Sequence, residues 1–428
     1  MKKSISGIRG IFGHDLTLAD VLRFCSNFAP LIKSKKCVIG NDTRPSSDIV
    51  RETAIAALMS RGIDVYNLGM VPTPVVFRES RRYGAGLIIT SSHNPIQWNG
   101  LKFIISGRGP NEKEFKDILE EKPQAKSRIG TEAKITSDYV IQAARIIGKT
   151  RNRPKIIIDV GGGAAVNVAP QLLKKIGCQV LISQDSQNRG PDPTADKLTK
   201  LVSLSKKADM GFAFDLDGDR LVVVKDGKKQ SPDITLALGV SRALDLGYKR
   251  FCLSIDTSIS VEKYIVDRGG TVVRSKVGEA NVIDMMMRKR CQAGGEGSSG
   301  GFILPEFNMC RDGILTSGLI AAMAGKKVDE IIKFVSNYHQ LRTKIGIESR
   351  LHDKVLASLK KKLRQRFGKI ITVDGIKAVI DDDTWALVRK SNTEDIIRIS
   401  VESNDLEKAK SIQKQLTSLV KESHVQAR

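Results

Sequence analysis

Asp215-Leu216-Asp217-Gly218-Asp219-Arg220 sets three carboxylates at alternate positions around a glycine. Charges that close repel one another unless a cation sits among them. Donors that are all oxygen favour Mg²⁺, which takes its remaining ligands from water or phosphate. A calcium loop of the EF-hand type would need glycine where Arg220 stands, and a helix where Leu221-Val222-Val223-Val224 reads as a strand. An aspartyl nucleophile of the phosphatase kind and a plain solvated acidic turn both remain compatible with these six residues.

Thr90-Ser91-Ser92-His93-Asn94-Pro95 offers two hydroxyls and an imidazole after the apolar run Gly86-Leu87-Ile88-Ile89. Asn94-Pro95 and Asn99-Gly100 are turn chemistry. The expectation is one short loop at a strand end that carries the serines, His93 and the Lys102 ammonium. The run from Gly294 to Gly301 reads as a glycine-rich loop, where Glu296 and Ser298 can hydrogen-bond hydroxyls. Arg389-Lys390-Ser391-Asn392-Thr393 gathers a guanidinium, two hydroxyls and an amide, which suits a phosphate cradle or a charged hairpin tip. Gly161-Gly162-Gly163 hints at dinucleotide binding, but Val166 replaces the third glycine and a turn is the better reading. Together these stretches ask for a phosphorylated, hydroxyl-rich ligand, one Mg²⁺ and a serine.

Strands must deliver these loops. Val38-Ile39-Gly40-Asn41-Asp42, Ile156-Ile157-Ile158-Asp159 and Leu253-Ser254-Ile255-Asp256 each end in an acidic turn, and a helical pattern, a glycine and a second strand follow. That is a βαβ unit, which implies a right-handed crossover in a largely parallel sheet. Three such starts predict three related α/β domains over 1–150, 151–247 and 248–345. The remainder, 346–428, reads as a smaller α+β domain with helices over 353–367 and 406–420.

The 428 residues allow several domains, and 41% hydrophobic with 27% charged residues describe an ordinary globular chain. Six dispersed cysteines form no Cys-x-x-Cys pair, so neither a zinc site nor a disulfide framework is expected. The basic start lacks an apolar stretch, so no secretory leader is expected, and the chain is read as cytoplasmic with no membrane partner. The net charge of +23 suits anionic partners. Basic residues are spread along the whole chain and aromatics make up only 5%, which argues against a nucleic-acid platform.

The motifs, in this order, resemble the α-D-phosphohexomutases, the family of phosphoglucomutase, phosphomannomutase and phosphoglucosamine mutase. The likeness starts at Ser6-Gly7-Ile8-Arg9-Gly10, Gly40-Asn41-Asp42-Thr43-Arg44 and Gly69-Met70-Val71-Pro72-Thr73-Pro74. It continues through the serine loop with Lys102, the aspartate loop, Lys276-Val277-Gly278, the glycine-rich run and Arg389 to Thr393.

The resemblance implies three α/β domains with mixed sheets and a C-terminal α+β domain around a central cleft. It implies Ser92 as the phosphoryl carrier, with Asp215, Asp217, Asp219 and an oxygen on Ser92 holding Mg²⁺. Arg220 and Arg9 would act at the reacting end, with Lys102 as a general base. Glu296, Ser298, Lys276 and Gly278 would bind the sugar; Arg389, Ser391, Asn392 and Thr393 would grip the phosphate that is not reacting. The expected reaction interconverts hexose 6- and 1-phosphates through a bisphosphate, in a monomer or homodimer. Glucosamine phosphate leads because the run from Glu296 to Pro305 looks archaeal, and its ammonium would be drawn to Glu279 or Glu296. Glucose or mannose phosphates are the alternative, and a non-catalytic basic binding protein on the same fold is a more distant one. Many members have histidine where Gly300 stands, so that acid/base role is not carried over.

Overall fold

The computed structural model describes residues 1–120, 128–183, 189–391 and 395–427. Each βαβ unit forms where the apolar runs place it. Lys36–Asn41 and Asp64–Met70 pair in parallel across the helix Ser47–Met59. Lys155–Asp159 and Gln179–Ile182 do so across Val168–Ile176. Arg250–Ser254 and Thr271–Ser275 do so across Ile259–Val266.

The sheets are mixed rather than largely parallel. In the seven-stranded first sheet, Trp98–Ile105 lies antiparallel between Ala85–Ile89 and Gly7–Ile11. In the second, Met210–Phe214 turns back directly into Leu221–Lys225, and a six-residue connection between neighbouring strands permits only an antiparallel pair. Half of the glycine-rich run is strand. Ala293–Glu296 and Gly301–Ile303 pair antiparallel around a single 3₁₀ turn. Glycine is required there because a Cβ on Gly294 would lie 1.9 Å from the Cys252 carbonyl oxygen.

The fourth sheet is antiparallel throughout, with the helices His352–Phe367 and Leu406–Ala427 packed on it. Its edge strand His339–Gly346 pairs with Ile396–Ser403 along its whole length, so this body begins ahead of residue 346. One continuous apolar core joins the second and third sheets, whereas the first and fourth have cores of their own. No described helix is long and apolar enough to cross a membrane.

The C-terminal body meets the third sheet through a small cluster of Ile255, Trp385 and Leu387. Glu402 crosses this contact by accepting from the Ile259 N–H at 2.8 Å. So does Lys377, which is buried, donates to the Ile255 carbonyl at 2.9 Å and lies 4.1 Å from the centre of the Trp385 ring. Burial, with help from Arg274, pushes the Lys377 ammonium down to about 7 from an ordinary 10.5, against the opposing pull of Glu402, Glu262 and Asp256. Between those two values the unfolded chain binds more protons than the folded one, so this group's contribution to stability rises with pH. Wild type should therefore gain stability relative to Lys377→Met as the pH rises from about 7 towards 10.5. Urea midpoints across that window are the check; a difference that does not change with pH refutes it.

Candidate active site

The serine loop leaves the strand Ala85–Ile89, and Ser92 takes a left-handed backbone with φ +51°. That conformation needs support in a residue with a side chain. Arg44, fully buried, supplies it by donating to the carbonyls of Ser92 at 2.6 Å, Asn94 at 2.7 Å and Trp98 at 2.9 Å. Asp42 pairs with Arg44 at 3.0 Å and accepts from Thr90 Oγ1 at 2.7 Å. Thr90 Oγ1 in turn accepts from the Ser92 N–H at 2.8 Å. The two serines are thereby separated. Ser91 Oγ accepts from the Asn94 amide within its own loop, while Ser92 Oγ donates to Asp215 Oδ2 at 3.2 Å.

Asp215, Asp217 and Asp219 stand at the turn after Met210–Phe214, with one oxygen of each within 4.8 Å of the others. All three are buried. Burial, then Asp217 and Asp219, push the Asp215 carboxyl far above the usual range. Asp217 Oδ1 and Asp219 Oδ1 have no hydrogen-bond partner. Buried, unpaired carboxylate oxygens that converge on one another fit a divalent cation. Thr73 ties this loop to the first domain through Asp217, with its hydroxyl on Oδ2 and its N–H on the carbonyl, both at 2.8 Å. Arg220 closes the loop. It pairs with Asp192 at 3.2 Å and lies 3.3 Å from His93 Nε2, and His93 Nδ1 lies 3.3 Å from Ser92 Oγ. Burial, then Arg220, hold the His93 imidazole down to about 3.

Lys102 does not sit on the serine loop. It lies inside the strand Trp98–Ile105, buried, with Nζ 3.3 Å from Glu279 and 3.7 Å from Asp219. Burial opposes its charge, but Glu279 and Asp219 outweigh that and raise its pKa. These contacts hold it as a cation beside the aspartate loop. Arg311 completes the network with contacts to Asp219 at 2.8 Å, Glu279 at 3.1 Å and Glu296 at 3.3 Å. Glu296 also accepts from the Gly278 N–H at 2.7 Å. Neither Glu279 nor Glu296 is thus a spare carboxylate for a sugar ammonium.

A cavity of about 730 Å³ opens over these groups. Arg9, His93, Lys102 and Arg220 line it on one side, and Gly278, Glu296, Ser298 and Arg311 on another. The fourth sheet contributes Arg342, Lys344, Arg389, Ser391 and Arg398. Arg389 is oriented by Asp374 at 3.1 Å, and Asp374 also accepts from the Val277 N–H of the third domain. Asn392 and Thr393 lie outside the described residues. Lys276 is exposed next to the lining residues Val277 and Gly278 and is not itself part of the lining. At Gly300, φ is +64° and a Cβ would lie 2.4 Å from the Leu221 carbonyl oxygen, so this backbone has no room for a histidine. Sequence reasoning missed Arg311, Arg342, Lys344 and Arg398. The one signal for Arg311 was a charged pair, Arg311-Asp312, opening the apolar helix Gly313–Ala322.

Models of the phosphoglucomutase/phosphomannomutase domains match the chain in order. Alpha/beta/alpha domain I covers residues 1–129, domain II 137–228, domain III 231–338 and the C-terminal domain 347–419. A probable phosphoglucosamine mutase of Methanothermobacter thermautotrophicus is 34% identical, over 95% of each chain. One of Pyrococcus abyssi is 32% identical, over 97% of each. Among solved structures, a phosphoglucomutase/phosphomannomutase family protein from Burkholderia thailandensis has a TM-score of 0.85 at 23% identity, covering 99% of this chain and 98% of that one. Aspergillus fumigatus N-acetylphosphoglucosamine mutase, in complex with GlcNAc-6P and magnesium, has a TM-score of 0.60 at 13% identity, covering 99% and 96%. These two structures share the fold.

The aspartate loop generates a binding test. A divalent cation that binds only the folded state stabilises it by about 2.7 kcal/mol at a hundred times its Kd. Saturating Mg²⁺ should raise the Tm of the wild type and leave that of Asp217→Asn almost unmoved. Equal shifts in the two proteins would remove the site.

Proposed function

The chain belongs to the phosphoglucomutase/phosphomannomutase family, and from that premise we propose that it interconverts glucosamine 6-phosphate and glucosamine 1-phosphate. The observation that carries the reading is Ser92 Oγ, set 3.2 Å from the aspartate triad at the floor of a cleft lined by cations. The amino sugar rests on the relatives named as probable phosphoglucosamine mutases.

In this reading Ser92 carries a phosphoryl group. A sugar hydroxyl attacks its phosphorus, the bond to Ser92 Oγ breaks, and the serine oxygen takes up the proton that the hydroxyl gives up. The bisphosphate turns over in the cleft, and its other phosphoryl group returns to Ser92. Asp215, Asp217, Asp219 and an oxygen on Ser92 would hold Mg²⁺, chosen over softer ions because every donor is oxygen. That ion supplies charge neutralisation at the transferring phosphoryl group. Phosphoryl transfer needs positioning and electrostatic stabilisation more than covalent help. Arg9, Arg220 and Lys102 supply fixed positive charge around the serine, and Arg44 keeps its oxygen aimed. Glu296 and Ser298 hold sugar hydroxyls, beside the Gly278 backbone and Lys276. Arg389, Ser391, Asn392 and Thr393 grip the distal phosphate. All six cysteines are buried free thiols, which suits the reducing cytoplasm where we place the protein.

A coupled assay on glucosamine, glucose and mannose phosphates tests the reaction. We expect glucosamine 6-phosphate to be preferred by at least tenfold in kcat/KM, or about 1.4 kcal/mol. Ser92→Ala should lose the phosphoenzyme by intact mass and lower turnover by several orders of magnitude; phosphate found on Ser91 would overturn the assignment. Arg389→Ala should weaken binding of both the 1- and the 6-phosphate in calorimetry, because one cradle serves whichever phosphate is distal. Weakening of a single isomer would contradict a substrate that reorients.

A further inference from the structure

Three carboxylates line the cleft above the aspartate loop: Asp256, Glu279 and Glu296. Two of them are already neutralised. Glu279 meets Arg311 at 3.1 Å and Lys102 at 3.3 Å, and Glu296 meets Arg311 at 3.3 Å and the Gly278 N–H at 2.7 Å.

Asp256 differs. It follows the strand Arg250–Ser254, is only 8% exposed, and accepts one hydrogen bond, from Ser254 Oγ at 2.7 Å. Among the described residues no lysine or arginine nitrogen lies within 4.0 Å of its carboxylate. The cations around it are committed elsewhere. Arg274 donates to the carbonyls of Ser254 and Thr257, Lys377 donates to the carbonyl of Ile255, and Arg342 turns to Asp233 at 3.5 Å. A carboxylate that lines the cleft with no lysine or arginine paired to it can take its counter-ion from a ligand.

The cleft limits what that ligand group can be. Arg9, Arg220 and Arg389 offer places for phosphate, and a phosphate against Asp256 would be repelled. The complement of Asp256 is a cation, and the only cation on an amino-hexose phosphate is the ammonium at position 2. Asp256 is also in the right neighbourhood. Thr257, its neighbour in the chain, accepts from the Gly297 N–H at 3.0 Å, which places the Asp256 turn against Glu296 and Ser298. A sugar held there by its hydroxyls at positions 3 and 4 can turn the carbon on either side, position 2 or position 5, towards that turn, and of these only position 2 carries a cation.

Resting on the mutase reading above, we infer that Asp256 is the specificity-determining residue that reads the ammonium at position 2, and so separates glucosamine phosphates from glucose and mannose phosphates. Reorientation moves position 2 to the opposite edge of the cleft, so Asp256 meets the ammonium in only one of the two orientations.

The test is Asp256→Asn, which keeps the shape and the Ser254 hydrogen bond and removes the charge. Two readouts are taken on wild type and variant: kcat/KM for glucosamine 6-phosphate and glucose 6-phosphate, and their dissociation constants by calorimetry. The ratio of the two kcat/KM values should fall about tenfold in the variant. The calorimetric preference for the amino sugar should shrink for one glucosamine phosphate isomer more than for the other. An unchanged ratio, whether both sugars lose equally or neither does, overturns the inference. The mutase reading fails separately. In that case the wild type turns over no hexose phosphate, and the calorimetric preference and its loss in Asp256→Asn still decide the role of Asp256.

Discussion

Arg311 holds together charges from three separate parts of the chain. Its guanidinium reaches Asp219 from the aspartate loop, Glu279 at the start of the helix Glu279–Lys289, and Glu296 at the end of the strand Ala293–Glu296. Lys102 joins from the first domain through Glu279. Two unit charges about 3 Å apart attract by about 5 kcal/mol at an effective dielectric of 20. Desolvation costs several kcal/mol per ion, so the net stabilisation of such a network is small. What it provides is placement. A carboxylate held from two sides cannot swing to meet a passing cation, and its remaining oxygen points one way. Burial opposes the charge on Asp219, but Arg311, Lys102 and Arg220 keep that carboxyl below the usual range and ready as a ligand.

A second guanidinium solves a different problem. Arg44 donates to backbone oxygens of the serine loop, and through them fixes a loop whose key residue sits at positive φ. Its counter-charge, Asp42, leaves the neighbouring parallel strand Lys36–Asn41, so two adjacent strand ends brace each other. The other functional turns use the same edge of their own sheets. Asp215 follows Met210–Phe214, Asp256 follows Arg250–Ser254, and Glu296 ends Ala293–Glu296. In α/β sheets ligands gather outside the carboxyl ends of the strands, and here three sheets present those ends to one cleft.

What was legible in the sequence had local causes. The aspartate triad could be read because its members are two residues apart, and the βαβ units because apolar runs and glycines mark them. Arg311 was illegible because its partners lie 15, 32 and 92 residues away and only the fold brings them together. Two glycine signals pointed the wrong way. Asn99-Gly100 reads as a turn, yet Gly100 is inside a strand, where a Cβ would lie 2.4 Å from the Ile8 carbonyl oxygen. Gly294 is likewise a place of close backbone approach. Glycine marks both flexible loops and tight packing, and periodicity alone does not separate the two. That ambiguity placed Lys102 on a loop rather than inside the strand Trp98–Ile105.

A bisphosphate that must turn over without escaping sets a conflicting demand. Both phosphates need cations, yet a clamp rigid at both ends would forbid rotation. The division of the cores answers this. The serine, aspartate and Glu296 loops are tied to one another by buried charges and by Thr73, whereas Arg389 and Ser391 belong to a body with its own core. That body meets the third domain through the small apolar cluster at Ile255, Trp385 and Leu387, together with a few polar contacts. Bodies joined by limited contact move relative to one another unless a large apolar interface prevents it. One of those contacts, Asp374 between Arg389 and the Val277 N–H, sits at the edge of the cleft itself.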